Sequence, residues 1–335
     1  MENKLRRVTI RDVAKACDVS YQTVSRVIND SSGVSDKTRQ RILRVMEELN
    51  YQPNKAAQML TTNRSFTLEA MIVDVDYAGT LAKTTKAMMR VARELGYSLL
   101  VSDTTISDLP KAFESAASRL VDGVVLYAPN MEITDKELIK MSHNIPFVRR
   151  DYVPNSKLAW VGFNQVYATE LAVEHLIELG HHQIAEISPP RHYHNGHWRH
   201  YGFVETLKRH GLTPGPTVEG DYSMQSGYDG ARWLLSYGEN FSAIVIGTDK
   251  MALGALHALR EQHIRVPEDI SIVGFDNSEL AAFAAPPLTT VEFKFDKQDE
   301  MVVKYLVELI KDPEMEIHQR VLTSELIIRQ STRGV

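Results

Sequence analysis

Residues 8–29, VTIRDVAKACDVSYQTVSRVIN, read as two short helices joined by a tight turn. Thr9 is placed to cap the first helix, and Ile10, Val13, Ala14 and Cys17 follow at helical spacing as one apolar stripe. Asp18 falls where the chain must turn, and an Asx side chain tolerates left-handed backbone by bonding locally. Ser20 caps the second helix. On that helix Val24, Val27 and Ile28 share one side, Gln22, Arg26 and Asn29 lie opposite, and Tyr21 and Ser25 flank them. The apolar side packs inward and leaves an amide- and guanidinium-bearing side free. Gln pairs bidentately with adenine and Arg with guanine, and the start of a recognition helix enters the major groove.

An ordinary amphipathic helix carries a similar pattern, so the charge distribution matters. Residues 1–64 hold 12 Lys and Arg against 7 Asp and Glu, a net of +5, which leaves −10 on the remainder of a chain whose total is −5. A basic head on an acidic body confines phosphate attraction to one end. Arg6, Arg7, Lys37, Arg39, Arg41 and Arg44 contribute most of it. A third helix over 34–51 starts at a Ser35 cap and presents Ile42, Val45, Met46 and Leu49 as the face that closes a headpiece. After Pro53, the run NKAAQMLTTNRS (54–65) is too short and too weakly apolar for an isolated helix, so it reads as a linker that folds when organised by a partner.

Length and composition bound the rest. A chain of 335 residues allows two to three domains, and 43% hydrophobic with 24% charged residues is ordinary for a globular protein. There is no apolar run of about 18 residues and no apolar segment behind the basic start, so neither membrane insertion nor export is expected. Cys17, the only cysteine, excludes an intrachain disulfide and fits a reducing cytoplasm. From Thr67, short β-rich runs alternate with helical ones: LEAMIVDV, helix 81–95, YSLLVSD, helix 112–120, GVVLYA, helix 136–142 and PFVRR. The scheme repeats with IAEIS, HGLTP, FSAIVIG and ISIVGF, helices falling between them, so two doubly wound parallel sheets are expected. A helix at 297–310 and a strand VLTSELIIRQSTR (321–333) predict that the chain crosses back between the two lobes.

With these segments in view the sequence resembles the LacI/GalR family of bacterial transcriptional regulators. VSYQTVSRVIN (19–29) is similar to the family's recognition helix, and ELNYQPNKAAQML (48–60) to its headpiece end and hinge. AVEHLIELGHHQIA, TDKMALGALHAL, DISIVGFDN and PPLTTVEF are similar to segments of its periplasmic-binding-protein-like core. The resemblance implies a helix-turn-helix headpiece (1–52), a hinge (53–65), an N-terminal core subdomain (66–161 plus 292–320) and a C-terminal one (162–291 plus 321–335). It implies DNA contacts from Thr9, Ser20, Tyr21, Gln22, Thr23, Ser25, Arg26, Asn29, Ser35 and Thr38, and from Asn54, Ala57 and Leu60 in the hinge. Leu60 is then the wedge that unstacks a base step at the operator centre, or alternatively packs against its dimer mate. Thr61-Thr62 depart from the small, flexible residues expected there and imply a stiffer hinge.

Ligands of such cores sit between the lobes at the carboxyl ends of the strands. The resemblance places the effector on Arg199, Asp276, Asp151, Tyr222 and Phe295, with Tyr127, Tyr77 and Thr248 nearby. Arg and Asp suit sugar hydroxyls, and an aromatic face suits the C–H side of a ring. Asp249 reads as a helix N-cap rather than a ligand group. Purine-binding relatives carry a basic residue where this chain has Tyr193, His194 and Asn195, which favours a saccharide. Tyr127 stands where a galactoside-binding relative has a smaller polar residue. His192, His194, His197 and His200 in HYHNGHWRH invite a metal, but no carboxylate or cysteine joins them, so the segment reads as a polar loop lining the pocket. No cofactor is expected, and no G-x-G-x-x-G after a strand, P-loop or G-x-S-x-G elbow supports an enzyme; the missing signal peptide and the attached basic headpiece argue against a secreted sugar-binding protein. The chain stops soon after its last predicted strand, without the leucine-rich C-terminal helix of tetrameric relatives, so a homodimer on a pseudo-palindromic operator is expected.

Overall fold

Two reciprocal hydrogen bonds start the headpiece. Asp12 N–H donates to Thr9 Oγ1 (3.4 Å) and Thr9 N–H donates to Asp12 Oδ2 (2.8 Å), a capping box that opens α1 (Ile10–Ala16). The chain then turns at Asp18, whose φ of +48° is the left-handed conformation expected of an Asx residue there. Thr23 N–H donates to Ser20 Oγ (3.1 Å) at the start of α2 (Tyr21–Ile28), and Thr38 N–H to Ser35 Oγ (3.4 Å) at the start of α3 (Asp36–Glu48). Val13, Ala14, Cys17, Val24, Val27 and Ile42 form the buried core, with Val45, Met46 and Leu49 packed against it. The computed structural model describes residues 8–28, 32–51, 64–74, 78–130, 133–238 and 240–335, and the chain divides into the units Met1–Ser65 and Phe66–Val335. Arg6, Arg7, Asn29, Asn54, Ala57, Leu60, Thr61, Thr62 and Tyr77, to which the sequence assigns roles, lie outside the described residues.

The second unit begins with β1 (Thr67–Val73), α4 (Ala78–Glu94), β2 (Ser98–Thr104), α5 (Leu109–Ser118), β3 (Gly123–Tyr127), α6 (Asp135–Met141) and β4 (Phe147–Arg149). These strands make a parallel sheet in the order β2-β1-β3-β4. Short apolar runs such as Gly123–Tyr127 are buried because helices cover both faces of a parallel sheet. The chain continues through β5 (Val161–Phe163), α7 (Gln165–Glu178), β6 (Ile184–Ser188), α8 (His194–Arg209), β7 (Thr217–Glu219) and α9 (Met224–Ser236). It then forms β8 (Ala243–Ile246), α10 (Asp249–Glu261), β9 (Ser271–Phe275), α11 (Glu279–Phe283) and β10 (Thr289–Glu292). From there α12 (Phe295–Lys311) returns to the first sheet, burying Val302, Val303, Tyr305 and Leu306 against Leu68, Ala70, Val125 and Val148.

Two expectations need correction here. HGLTP (210–214) is the turn after α8, and the strand is Thr217–Glu219, because Gly211 takes a φ of +71° and ends the helix. VLTSELIIRQSTR is not one strand: β11 (Arg320–Leu322) pairs in parallel with β5, and β12 (Glu325–Ile327) pairs antiparallel with β10. The second sheet therefore runs β12-β10-β9-β8-β6-β7, parallel except at the β12 edge. The divisions expected at 161/162 and 320/321 fall inside β5 and β11, the two strands that pair with each other.

Glycines set the closest approach in this unit. A Cβ on Gly254 of α10 would lie 1.8 Å from the Met224 carbonyl oxygen, and one on Gly227 of α9 would lie 1.9 Å from that of Met251. The two helices thus touch backbone to backbone. Gly254→Ala is expected to lower unfolding stability by about 1–3 kcal/mol in a denaturant titration, despite alanine's better helix propensity. An unchanged midpoint would mean the helices separate at no cost.

Candidate functional site

The carboxyl ends of the parallel strands collect the polar residues of the core. Asp276 follows β9, Thr248 follows β8, Tyr127 ends β3, and Arg150 and Asp151 follow β4. This is where an open α/β sheet presents its ligand-binding residues. Arg199, on the second turn of α8 and 4% exposed, is the best-fixed of the group. Its Nε donates to Gln165 Oε1 (2.8 Å), Nη1 donates to the Gly247 carbonyl, and Nη2 faces Asp276 Oδ1 at 3.6 Å. The guanidinium carbon lies 4.7 Å from the centre of the Phe275 ring and 4.8 Å from that of Phe293. Charge, hydrogen bonds and stacking all hold it in one place.

Asp276 adopts a φ of +98° and Tyr222 one of +71°, left-handed backbone that costs on the order of 1–3 kcal/mol per residue and aims both side chains. Asp276 keeps 30% side-chain exposure, so its carboxylate is open to a ligand as well as to Arg199. Burial raises its pKa, and Arg199 pulls it back. Tyr222 donates its hydroxyl to Asn195 Oδ1 (2.7 Å) and its ring stacks on Tyr193, centroids 6.0 Å apart. Burial pushes its phenol pKa up.

On the first-sheet side, Asp151 Oδ2 accepts from the Ala128 N–H (3.1 Å), and burial pushes the carboxyl up to about 6 against the pull of Arg149. Tyr127 is pushed up to about 12, first by burial and then by Asp151. Arg150 lies between the Tyr127 ring (5.1 Å) and the Phe295 ring (5.8 Å), and its Nε donates to Asp299 Oδ1 of α12 (2.5 Å). Phe295 also meets Phe163 and Phe293, at 5.8 and 5.7 Å, forming an aromatic wall.

The structure thus brings Arg199, Asp276, Asp151, Tyr222, Tyr127 and Phe295 to the strand ends. Thr248, not Asp249, is the N-cap of α10: its Oγ1 accepts from Met251 N–H (3.1 Å). Asp249 is buried one position later, where its carboxylate accepts from Thr290 Oγ1 and Ser278 N–H (both 2.6 Å) and fixes the loop bearing Asp276. Burial pushes its pKa up to about 7. The histidines do not form a polar loop either. From His194 onward they lie on α8, where His194 faces Arg149, His197 packs on Trp198 and His200 bonds Glu186 Oε2 (2.6 Å). Among the described residues no group of three or more His, Cys, Asp or Glu could hold a metal ion.

Sequence reasoning missed Gln165, Arg150 and Asp299. The pair Arg149-Arg150 at the end of an apolar strand was a usable signal, because charge there requires buried partners. In the headpiece, Gln22 and Arg26 are exposed on the side of α2 opposite the buried Val24 and Val27, Tyr21 is exposed at its flank, and Ser25 is half-buried. The hydroxyls of Thr9, Ser20 and Ser35 serve as helix caps. Thr23 and Thr38 share the caps of Ser20 and Ser35 through side-chain hydrogen bonds of 2.9 Å each.

Comparison with known proteins gives the family. Residues 9–54 match the family described as bacterial regulatory proteins, lacI family, and residues 173–332 match the periplasmic binding protein-like domain. The ribose operon repressor of Escherichia coli K12 is 31% identical over 328 residues, covering 96% of this chain and 99% of that protein. The HTH-type transcriptional repressor PurR of Haemophilus influenzae PittEE is 33% identical over 335 residues, covering 98% and 99%. The crystal structure of the Lac repressor dimer bound to operator and the anti-inducer ONPF superposes with a TM-score of 0.85 at 32% identity, covering 98% of this chain and all of that one. With both segments matched and relatives alike over their full length, the chain belongs to the lacI family of bacterial regulatory proteins.

Proposed function

We propose that the protein is a cytoplasmic, ligand-responsive transcriptional repressor rather than an enzyme, binding a pseudo-palindromic operator as a homodimer and released from it by a small sugar. The observation that carries this reading is the buried Arg199 beside the partly open Asp276, in a chain whose headpiece exposes Tyr21, Gln22 and Arg26. A guanidinium and a carboxylate at one point supply donors and acceptors to neighbouring hydroxyls, and Phe295 supplies an apolar face for a ring. Among the described residues no helix is long and apolar enough to cross a membrane.

In this reading Tyr21, Gln22 and Arg26 read base edges, Thr9, Ser20, Thr23, Ser25, Asn29, Ser35 and Thr38 fix register on phosphates, and Asn54, Ala57 and Leu60 act at the operator centre. Thr248 and Tyr77 complete the sugar site. The subdomains are 66–161 with 292–320 and 162–291 with 321–335. Effector binding shifts the population of lobe arrangements, and the hinges of the dimer lose their alignment on DNA. A purine or nucleoside acting as corepressor is the second reading, favoured by the 33% identity to PurR and by the aromatic wall of Phe163, Phe293 and Phe295. The sugar is preferred because Tyr193, His194 and Asn195 offer no fixed cation beside Arg199.

Fluorescence anisotropy with an operator selected from random DNA, titrated with D-ribose, other sugars, phosphosugars and nucleobases, tests the assignment and gives its sign. Arg199→Met is expected to weaken effector response by tenfold or more, the loss of charge-assisted bonds of about 1.5–3 kcal/mol, with operator affinity unchanged. A variant that responds normally places the ligand elsewhere. Gln22→Ala is expected to cost about 1–3 kcal/mol of discrimination at one operator position. Equal weakening on all sequences would make Gln22 a phosphate contact.

A further inference from the structure

The segment between β6 and α8 ties the second sheet's lobe to the first. Tyr193 and Asn130 form an antiparallel bridge, His194 N–H donates to the Pro129 carbonyl (2.8 Å), and the Tyr193 hydroxyl donates to the Asp74 carbonyl (3.2 Å). At the centre of this contact His194 Nε2 lies 3.1 Å from Arg149 Nη2. Arg149 is 1% exposed and held on the first sheet by the β3–β4 pairing, opposite Leu126, while its backbone N–H donates to the Ala159 carbonyl (2.9 Å) in the segment before β5. A guanidinium only donates, so Nε2 must be the acceptor, and the ring is the neutral tautomer with its proton on Nδ1.

The turn that carries His194 is rigid. A Cβ on Gly196 would lie 2.0 Å from the Pro190 carbonyl oxygen, so this backbone is packed on itself. Asn195, the next residue, holds the Tyr222 hydroxyl, and Arg199 follows a little over one turn later on the same helix. Seven consecutive residues therefore bear both the contact across the lobes and the polar groups of the proposed ligand site. A movement of one is a movement of the other.

We propose that Arg149 and His194 form a positioning latch that holds the two lobes together across the cleft and is released when His194 takes up a proton. The latch rests on the reading of the cleft as an effector site only for its purpose, not for its chemistry. The groups facing His194 all bear on its charge. Arg149 opposes a second cation directly, as does His197 one turn along α8. Asp135, 3.8 Å from Arg149 Nη1, and Asp151 partly offset Arg149 rather than meeting the imidazole. Burial first, then Arg149, push His194 down to about 3 from the ordinary 6.5. The closed arrangement thus binds fewer protons than the open one between these values, and it weakens as pH falls below 6.5.

Amide hydrogen exchange on the full chain reads the latch without effector or operator, so its failure leaves the sugar assignment standing. The probe is the peptide spanning residues 189–198, with peptides from β1 and β3 as controls for folding. Between pH 7.5 and 5.5 the protection factor of 189–198 is expected to fall about tenfold more in the native chain than in His194→Gln, which accepts a hydrogen bond but does not titrate. His194→Phe and Arg149→Met, each lacking one half of the bond, are expected to lose protection at both pH values while the control peptides stay protected. Equal pH slopes in the native chain and His194→Gln would overturn the proton dependence. Full protection in His194→Phe and Arg149→Met would overturn the latch itself.

Discussion

Three guanidinium groups buried between the sheets dictate what else the cleft contains. Arg149, Arg150 and Arg199 are 1%, 4% and 4% exposed, and an ion taken out of water costs several kcal/mol unless it is paired. Each is matched by a carboxylate from a different stretch of chain: Asp135, Asp299 and Asp276. The Arg150–Asp299 pair joins residues 149 apart in sequence and needs α12 to return to the first sheet. Crossing back between lobes is thus an electrostatic requirement as well as a packing one. Removing one member of such a pair costs about 3–5 kcal/mol, because the other is left charged in the interior.

Much of this was legible in the sequence, and the limits of legibility have physical causes. The caps at Thr9, Ser20 and Ser35 and the turn at Asp18 depend on neighbours within three residues, so local chemistry suffices. The alternation of apolar strands and amphipathic helices gave the two sheets, because burial on both faces leaves a continuous apolar run. The Arg199 and Asp276 pair was found through resemblance alone, being 77 residues apart. What escaped was whatever depends on distant partners. The Thr248 cap was missed because both Thr248 and Asp249 have capping chemistry, and only Thr290 and Ser278 decide that Asp249 is used elsewhere. The stretch read as a polar loop is helix from His194 onward, and Gly196 in its first turn lets it pack on the Pro190 carbonyl, a contact no periodicity reveals.

The partition of charge along the chain also has a structural counterpart. In the core the buried carboxylates are paired internally: Glu69 meets Arg119, Glu186 meets His200, and Asp249 meets Thr290 and Ser278, while others such as Asp108 and Glu325 stay on the surface. Among the described residues of the headpiece helices the buried core is apolar, and Arg26, Arg41 and Arg44 remain on the surface. Positive charge there is available to an outside polyanion, and the acidic remainder of the chain repels the same polyanion.

The interleaved connections bear on how the protein is made. The first sheet, complete in sequence by Arg149, has α5 and α6 on one face by then, but the other face is only partly covered by α4 until α12 (Phe295–Lys311) has been synthesised, and Asp299 arrives only then to neutralise Arg150. The second sheet waits longer, since Ser331 Oγ donates to the Ile272 carbonyl and accepts from Thr289 N–H at the sheet's centre. The headpiece core, by contrast, closes within residues 13–42. During translation the module that reads is finished long before the module that listens, and the nascent chain carries first one and then two incomplete lobes with part of their apolar surface still open.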